Sequence, residues 1–175
     1  RLNPGADGKV ETVEVDMGTP ELTPERIPVI VADSHSNRNI EVEACGRTVS
    51  IDAVSMGNPH GVVFVDSLDT TDVAQLGPVL ESHPIWPDRA NIEFVEVLTP
   101  QKVRMRVWER GSGETMACGT GACAVAVASI LSGRTAAGEI TVQLLGGDLR
   151  IAYDTASGHV FMTGPATEVF TGTAP

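Results

Sequence analysis

The residues best suited to chemistry lie in one stretch, Glu109-Arg110-Gly111-Ser112-Gly113-Glu114-Thr115-Met116-Ala117-Cys118-Gly119-Thr120-Gly121. A strand ending at Trp108 is expected to pass through a glycine-rich loop into the N-terminus of an apolar helix. Free backbone N–H groups and the positive end of the helix dipole gather at such a point, which suits a carboxylate or phosphate. Cys118 stands beside those donors, and this position lowers a thiol's pKa from its free value of about 8.5. Gly119 and Gly121 carry no Cβ, so backbone and ligand can approach closely. The plainer alternative for Cys118 is a small core residue followed by a turn. Cys123, inside the apolar helix body, and Cys45, among alternating strand residues, fit that plainer reading. The loop lacks the Gly-Lys-Ser/Thr ending of a phosphate-binding loop, and no parallel strand–helix–strand unit is expected after it, so nucleotide binding is not expected.

A second candidate is the turn Ser55-Met56-Gly57-Asn58-Pro59-His60. Gly-Asn-Pro is turn chemistry and by itself says only that two strands are joined there. His60 closes the turn, however, and a fixed imidazole can exchange a proton with a thiol or pair with it as an ion. Asn91, entering an apolar strand, offers amide hydrogen bonds to a polar ligand.

The elements that must hold these residues are mostly strands. Val13, Val15 and Met17 alternate with polar neighbours, as do Ile40, Val42 and Ala44, then Val49, Ile51 and Ala53. Ile92 and Phe94 alternate with Glu93 and Val95, and Val103, Met105 and Val107 with Arg104 and Arg106, two arginines expected to be solvated. Further strands are expected at 62–65, 140–144, 149–153 and 160–163, with a hairpin turn at 146–148. A short surface helix is expected at 72–82. Residues 121–131 form a second helix with no polar face, which must be buried on all sides. The fold class is therefore α+β, a strongly curved, β-barrel-like sheet wrapped around a central apolar helix.

Composition narrows the functions. The 175 residues carry 12 basic and 23 acidic side chains, a net charge of −11. No stripe of Lys and Arg is available to neutralise phosphates, so a nucleic-acid partner is excluded. Three cysteines at irregular spacing make neither a disulfide framework nor a metal cluster, and no metal is expected. The first residues lack the apolar core of a secretion signal, and the apolar run at 122–131 is too short to span a bilayer, so a cytoplasmic protein without a membrane partner is expected.

Taken together, the motifs resemble diaminopimelate epimerase, a family of cofactor-independent amino-acid epimerases. The matching stretches are Met56-Gly57-Asn58-Pro59-His60, Leu76-Gly77-Pro78-Val79-Leu80-Glu81-Ser82-His83, Arg89-Ala90-Asn91-Ile92 and Met162-Thr163-Gly164-Pro165-Ala166. The most specific runs from Arg106-Val107-Trp108-Glu109-Arg110 to Ala117-Cys118-Gly119-Thr120-Gly121-Ala122-Cys123-Ala124. The resemblance implies two similar lobes with the active site between them. It also implies inversion of the α-carbon of LL-diaminopimelate to the meso form. One thiolate removes the α-proton while a second thiol delivers one to the opposite face. Without a pyridoxal cofactor as electron sink, the carbanion must be stabilised by dipoles of the site itself.

By resemblance, Cys118 is one of the two catalytic thiols, Glu109 tunes its protonation, and His60 tunes the other thiol. Asn58, Asn91, Glu109 and Arg110 bind the substrate, Arg110 pairing with its distal carboxylate, and Gly119 and Thr120 offer backbone N–H groups to the reacting one. The family's other thiol sits in a Cys-Gly-Asn-Gly motif, which is absent here; Cys45 is followed by Gly46-Arg47-Thr48. Residues 1–163 are thus expected to be the C-terminal lobe, with 164–175 a tail returning to the missing N-terminal lobe. As a fragment the chain is expected to be inactive, and the longer protein to be a homodimer. The alternative is a non-catalytic domain that keeps the fold and binds a small zwitterion through Asn58, Asn91 and Arg110.

Overall fold

The computed structural model describes residues 1–31, 36–167 and 169–173. In chain order the elements are β1 (Leu2–Pro4), β2 (Val10–Asp16), a 3₁₀ turn (Pro24–Arg26), β3 (Ile40–Ala44), β4 (Arg47–Ser55), β5 (Pro59–Phe64), α1 (Val73–Glu81), β6 (Asn91–Thr99), β7 (Lys102–Glu109), β8 (Gly113–Thr115), α2 (Gly119–Leu131), β9 (Gly138–Leu144), β10 (Gly147–Tyr153) and β11 (Val160–Pro165). The strands form one mixed sheet in the order β1-β2-β11-β10-β9-β7-β6-β5-β4-β3, with β8 paired to β7.

All pairings are antiparallel except two. β5 runs parallel to β6 and β7 parallel to β9, with α1 and α2 respectively as the intervening helices. The second crossover corrects the expectation that no parallel strand–helix–strand unit follows the glycine-rich loop. Because β6 and β7 are antiparallel, the two crossovers start from oppositely directed strands while moving the same way along the sheet. Connections of one hand then drop their helices on opposite faces.

The core divides accordingly. α1 packs with Ile51, Val63, Ile92 and Phe94, whereas α2 packs with Val62, Val95, Met105, Val107, Val142 and Ile151. Asn91 through Val95 are all buried, since the middle strands are covered on both sides; their alternation is a division between two cores rather than between core and water. α2 is buried continuously from Gly121 to Ser129 and packs against β4, β5, β6, β9, β10 and β11. Two-sided cover also explains why the expected barrel-like closure is not found. β1 and β3 are the ends of an open path and do not pair with each other. The β3 edge carries exposed Glu41 and Glu43, which discourage further strand addition.

α1 starts where the sequence places it, with Asp72 Oδ1 accepting from Gln75 N at 3.0 Å. It is less of a surface helix than expected, because Val73, Leu76, Gly77, Leu80 and Glu81 are buried. The β9–β10 hairpin turns one residue earlier than expected, over Leu145 and Gly146, since Leu144 pairs with Gly147. β8 lies within what the sequence suggests is loop: Glu109 pairs with Gly113, and Gly111 and Gly113 adopt φ of 76° and 82°. Glu168, Ala174 and Pro175 of the expected tail lie outside the described residues; β11 itself continues through Gly164 and Pro165 against β2.

Candidate active site

Cys118 is the residue before the first turn of α2, with extended backbone (φ −139°, ψ 109°), and is only 8% exposed. Its Sγ lies 3.6 Å from Thr120 Oγ1. The thiol is pushed up to about 11, first by burial, then by the negative charge of Glu93 and, more weakly, of Glu109. The Thr120 hydroxyl and the Gly121 N–H pull the other way. This corrects the expectation of a lowered thiol: the helix mouth supplies its donors, but the cost of a buried thiolate and two carboxylates outweighs them. Cys123 is fully buried and is pushed higher, to about 12.

The Met56-Gly57-Asn58 turn joins β4 to β5, with Ser55 paired to Pro59 and Gly57 at φ 92°. His60 lies next to Asn91 across the parallel β5–β6 ladder and is completely buried. Its Nε2 is 3.0 Å from Asn58 Oδ1, and its Nδ1 is 2.7 Å from Glu93 Oε1. Among the described residues no hydrogen bond joins His60 to Cys118. Glu93 is the group both of them feel.

Asn91 has both ends of its amide engaged. Nδ2 donates to Pro59 O at 3.1 Å, and Oδ1 accepts from Arg110 N at 3.0 Å, so it ties the His60 turn to the β7–β8 turn. Arg110 is exposed, and its Nη1 donates to Asp88 O at 3.0 Å. Glu109 is half-buried and accepts from the Thr115 hydroxyl across the hairpin. Glu81, at the end of α1, holds the same turn from below. Its Oε1 accepts from Gly111 N at 2.8 Å and its Oε2 from Trp108 Nε1 at 2.9 Å, and Arg89 pairs with it at 3.3 Å. Burial works to raise this carboxyl, but the Gly111 N–H, the Trp108 indole and Arg89 together hold it below its usual range.

The structure thus brings Asn58 to His60, Asn91 to Arg110, and Thr120 to Cys118. Gly119 and Thr120 are half-buried at the start of α2. Arg104 and Arg106 stay partly exposed as expected, but are ion-paired: Arg104 bridges Asp69 and Glu96 at 2.8 Å each, and Arg106 makes a two-pronged pair with Glu114 at 2.6 and 2.9 Å. The residues that sequence reasoning missed are Glu93 and Glu81. The available signal for Glu93 was an acid inside the run Ile92-Glu93-Phe94-Val95, which alternation alone assigns to a solvent face. No described helix is long and apolar enough to cross a membrane.

Comparison with known proteins gives the family and the fold. The family model described as diaminopimelate epimerase matches residues 52–169. A diaminopimelate epimerase of Desulfovibrio desulfuricans is 53% identical over 170 residues, covering 94% of this chain and 59% of that protein. One from Acetivibrio thermocellus is 52% identical over 166 residues, covering 95% of this chain and again 59% of the relative. The chain therefore spans about three-fifths of the length of these relatives. Among solved structures, a probable proline racemase from Agrobacterium radiobacter superposes with a TM-score of 0.65 at 14% identity, over 92% of this chain and 52% of that one. A hydroxyproline epimerase from Agrobacterium vitis gives 0.60 at 18% identity, over 92% and 51%. Identities this low carry the fold alone.

Proposed function

Because the chain belongs to the diaminopimelate epimerase family, we propose that it is the lobe supplying one of the two thiols that interconvert LL- and meso-diaminopimelate without a cofactor. The observation that carries this reading is Cys118 at the mouth of α2, beside Thr120 and within the influence of Glu109, inside a family match of this extent. Inversion needs an acid and a base on opposite faces of a planar carbanion. A thiol held up near 11 is protonated at neutral pH, so Cys118 of this lobe waits as the acid until the opposite thiolate has taken the α-proton.

The free N–H groups of Gly119 and Thr120 and the α2 dipole receive the reacting carboxylate and stabilise the charge that spreads onto it. Arg110 swings from the Asp88 carbonyl to the distal carboxylate, a two-pronged partner for its guanidinium. Asn58 presents its amide beside His60, which tunes the opposite thiol. Asn91 fixes the turns that carry the others through one bond at each end of its amide, leaving its second N–H and second oxygen lone pair for the substrate.

The sheet wraps α2 as the axis of the lobe, a reading supported by the burial of Gly121 to Ser129 and by the six strands packed against them. The tail beyond β11, rather than from Gly164, returns to the remaining lobe, a reading supported by Val169 and Phe170 standing 83% and 81% exposed. The longer protein works in the cytoplasm as a homodimer. Incubation of the chain with LL-diaminopimelate in heavy water is expected to yield no sustained deuterated meso product; sustained turnover would overturn the one-thiol assignment.

A further inference from the structure

The residues assigned so far leave one carboxylate unexplained. Glu93 is completely buried, and while Oε1 meets His60, Oε2 has no hydrogen-bond partner among the described residues. A buried, half-satisfied carboxylate is destabilising, so its presence calls for a use other than packing. Room for it is made by a glycine. A Cβ on Gly121 would fall 2.6 Å from Glu93 Oε1 and 3.2 Å from Cys118 Sγ. Carboxylate and thiol thus flank the same small gap beneath the first turn of α2, where the helix dipole favours negative charge. From this gap the contacts run on through the imidazole to Asn58 Oδ1. The titratable groups around it are His60 from β5, Glu109 from β7, and Cys118 and Cys123 from α2.

Resting on the assignment of Cys118 and His60 to a two-thiol site, we propose that Glu93 is a positioning residue that anchors the His60 ring through Nδ1 and sets its negative charge against Cys118 beneath α2. Glu93 Oε1 accepts from Nδ1 and Asn58 Oδ1, an amide oxygen, accepts from Nε2, so the ring is held as a donor from both sides. The same carboxylate favours the protonated thiol. One buried carboxylate therefore bears on both proton-handling groups of the lobe without touching a reacting atom itself.

The test uses Glu93→Gln, which keeps shape and removes charge. Cys118 alkylation by iodoacetamide, at a fixed pH well below its pKa, is expected to rise about threefold or more, since half a unit of pKa is about a threefold change in thiolate. Cys123 must stay protected, which reports that the variant is folded. An unchanged or slower Cys118 rate in a folded variant overturns the proposal. Should Cys123 become reactive, nitrogen-15 NMR of His60 in the unsubstituted chain decides instead. A proton resident on Nδ1 supports the proposal, and a ring protonated on Nε2 alone overturns it. Neither readout needs substrate or turnover, so either result stands apart from the epimerase reading.

Discussion

At the scale of single residues, the local setting of a side chain was legible where it depended on residue type and spacing. Cys118 among glycines and the Gly57-Asn58-Pro59-His60 turn are such cases. It was illegible where it depended on what a distant strand places beneath. Nothing in the spacing around Cys118 announces Glu93, whose charge reaches it only because β6 passes under α2. Burial first, and the Glu93 charge second, turn the thiol's pKa upward against the lowering a helix mouth alone suggests. The consequence is measurable. With Cys118 raised to about 11, its alkylation rate should keep climbing roughly tenfold per pH unit through the neutral and mildly alkaline range instead of levelling off near pH 8. Cys123, fully buried and raised to about 12, should react more slowly at every pH. Mass-mapped alkylation reads both cysteines in one experiment, and equal rates would contradict the placement of Cys118 at a reachable helix mouth.

At the scale of elements, most strands and both helices could be read from alternation and from the all-apolar helix. What could not be read was which strands lie parallel, because a strand covered on both faces shows no clean period. Residues 92–95 look half-buried in sequence and are fully buried in the sheet. The element-level device that follows from this topology is the hold of α1 on the β7–β8 turn. Glu81 reaches Gly111 and Trp108, while Gly77 is closely seated, its would-be Cβ 2.6 Å from Trp108. Glu81→Gln should destabilise the chain by about 1–3 kcal/mol, the range for leaving buried donors poorly matched, and calorimetry checks it. Because the folded-state value of Glu81 lies below its ordinary 4.5, its contribution is present above that value and disappears as pH falls through the lower one. Wild type should therefore lose part of its stability on acidification below about pH 4.5, and the Gln variant should lose less.

At the scale of the whole molecule, family membership could be read from ordered motifs. The shape of the sheet was harder. Many short strands suggested closure, whereas two crossovers placing helices on opposite faces bury both sides of an open sheet. That arrangement sets Cys118 at the mouth of α2 and ties the His60 turn to the Arg110 turn through Asn91. It supplies one motif thiol where two-sided inversion needs two. We propose Cys118 as a working acid–base thiol of a diaminopimelate epimerase. The most direct measurement joins this chain to the part of the Desulfovibrio desulfuricans relative that it does not match, and follows deuterium entering the α-carbon of diaminopimelate in heavy water. Turnover is expected in the joined protein, and Cys118→Ser should reduce it by at least about 100-fold, the scale of a lost acid–base group. A Cys118→Ser protein that still exchanges and inverts at the unsubstituted rate would contradict the account.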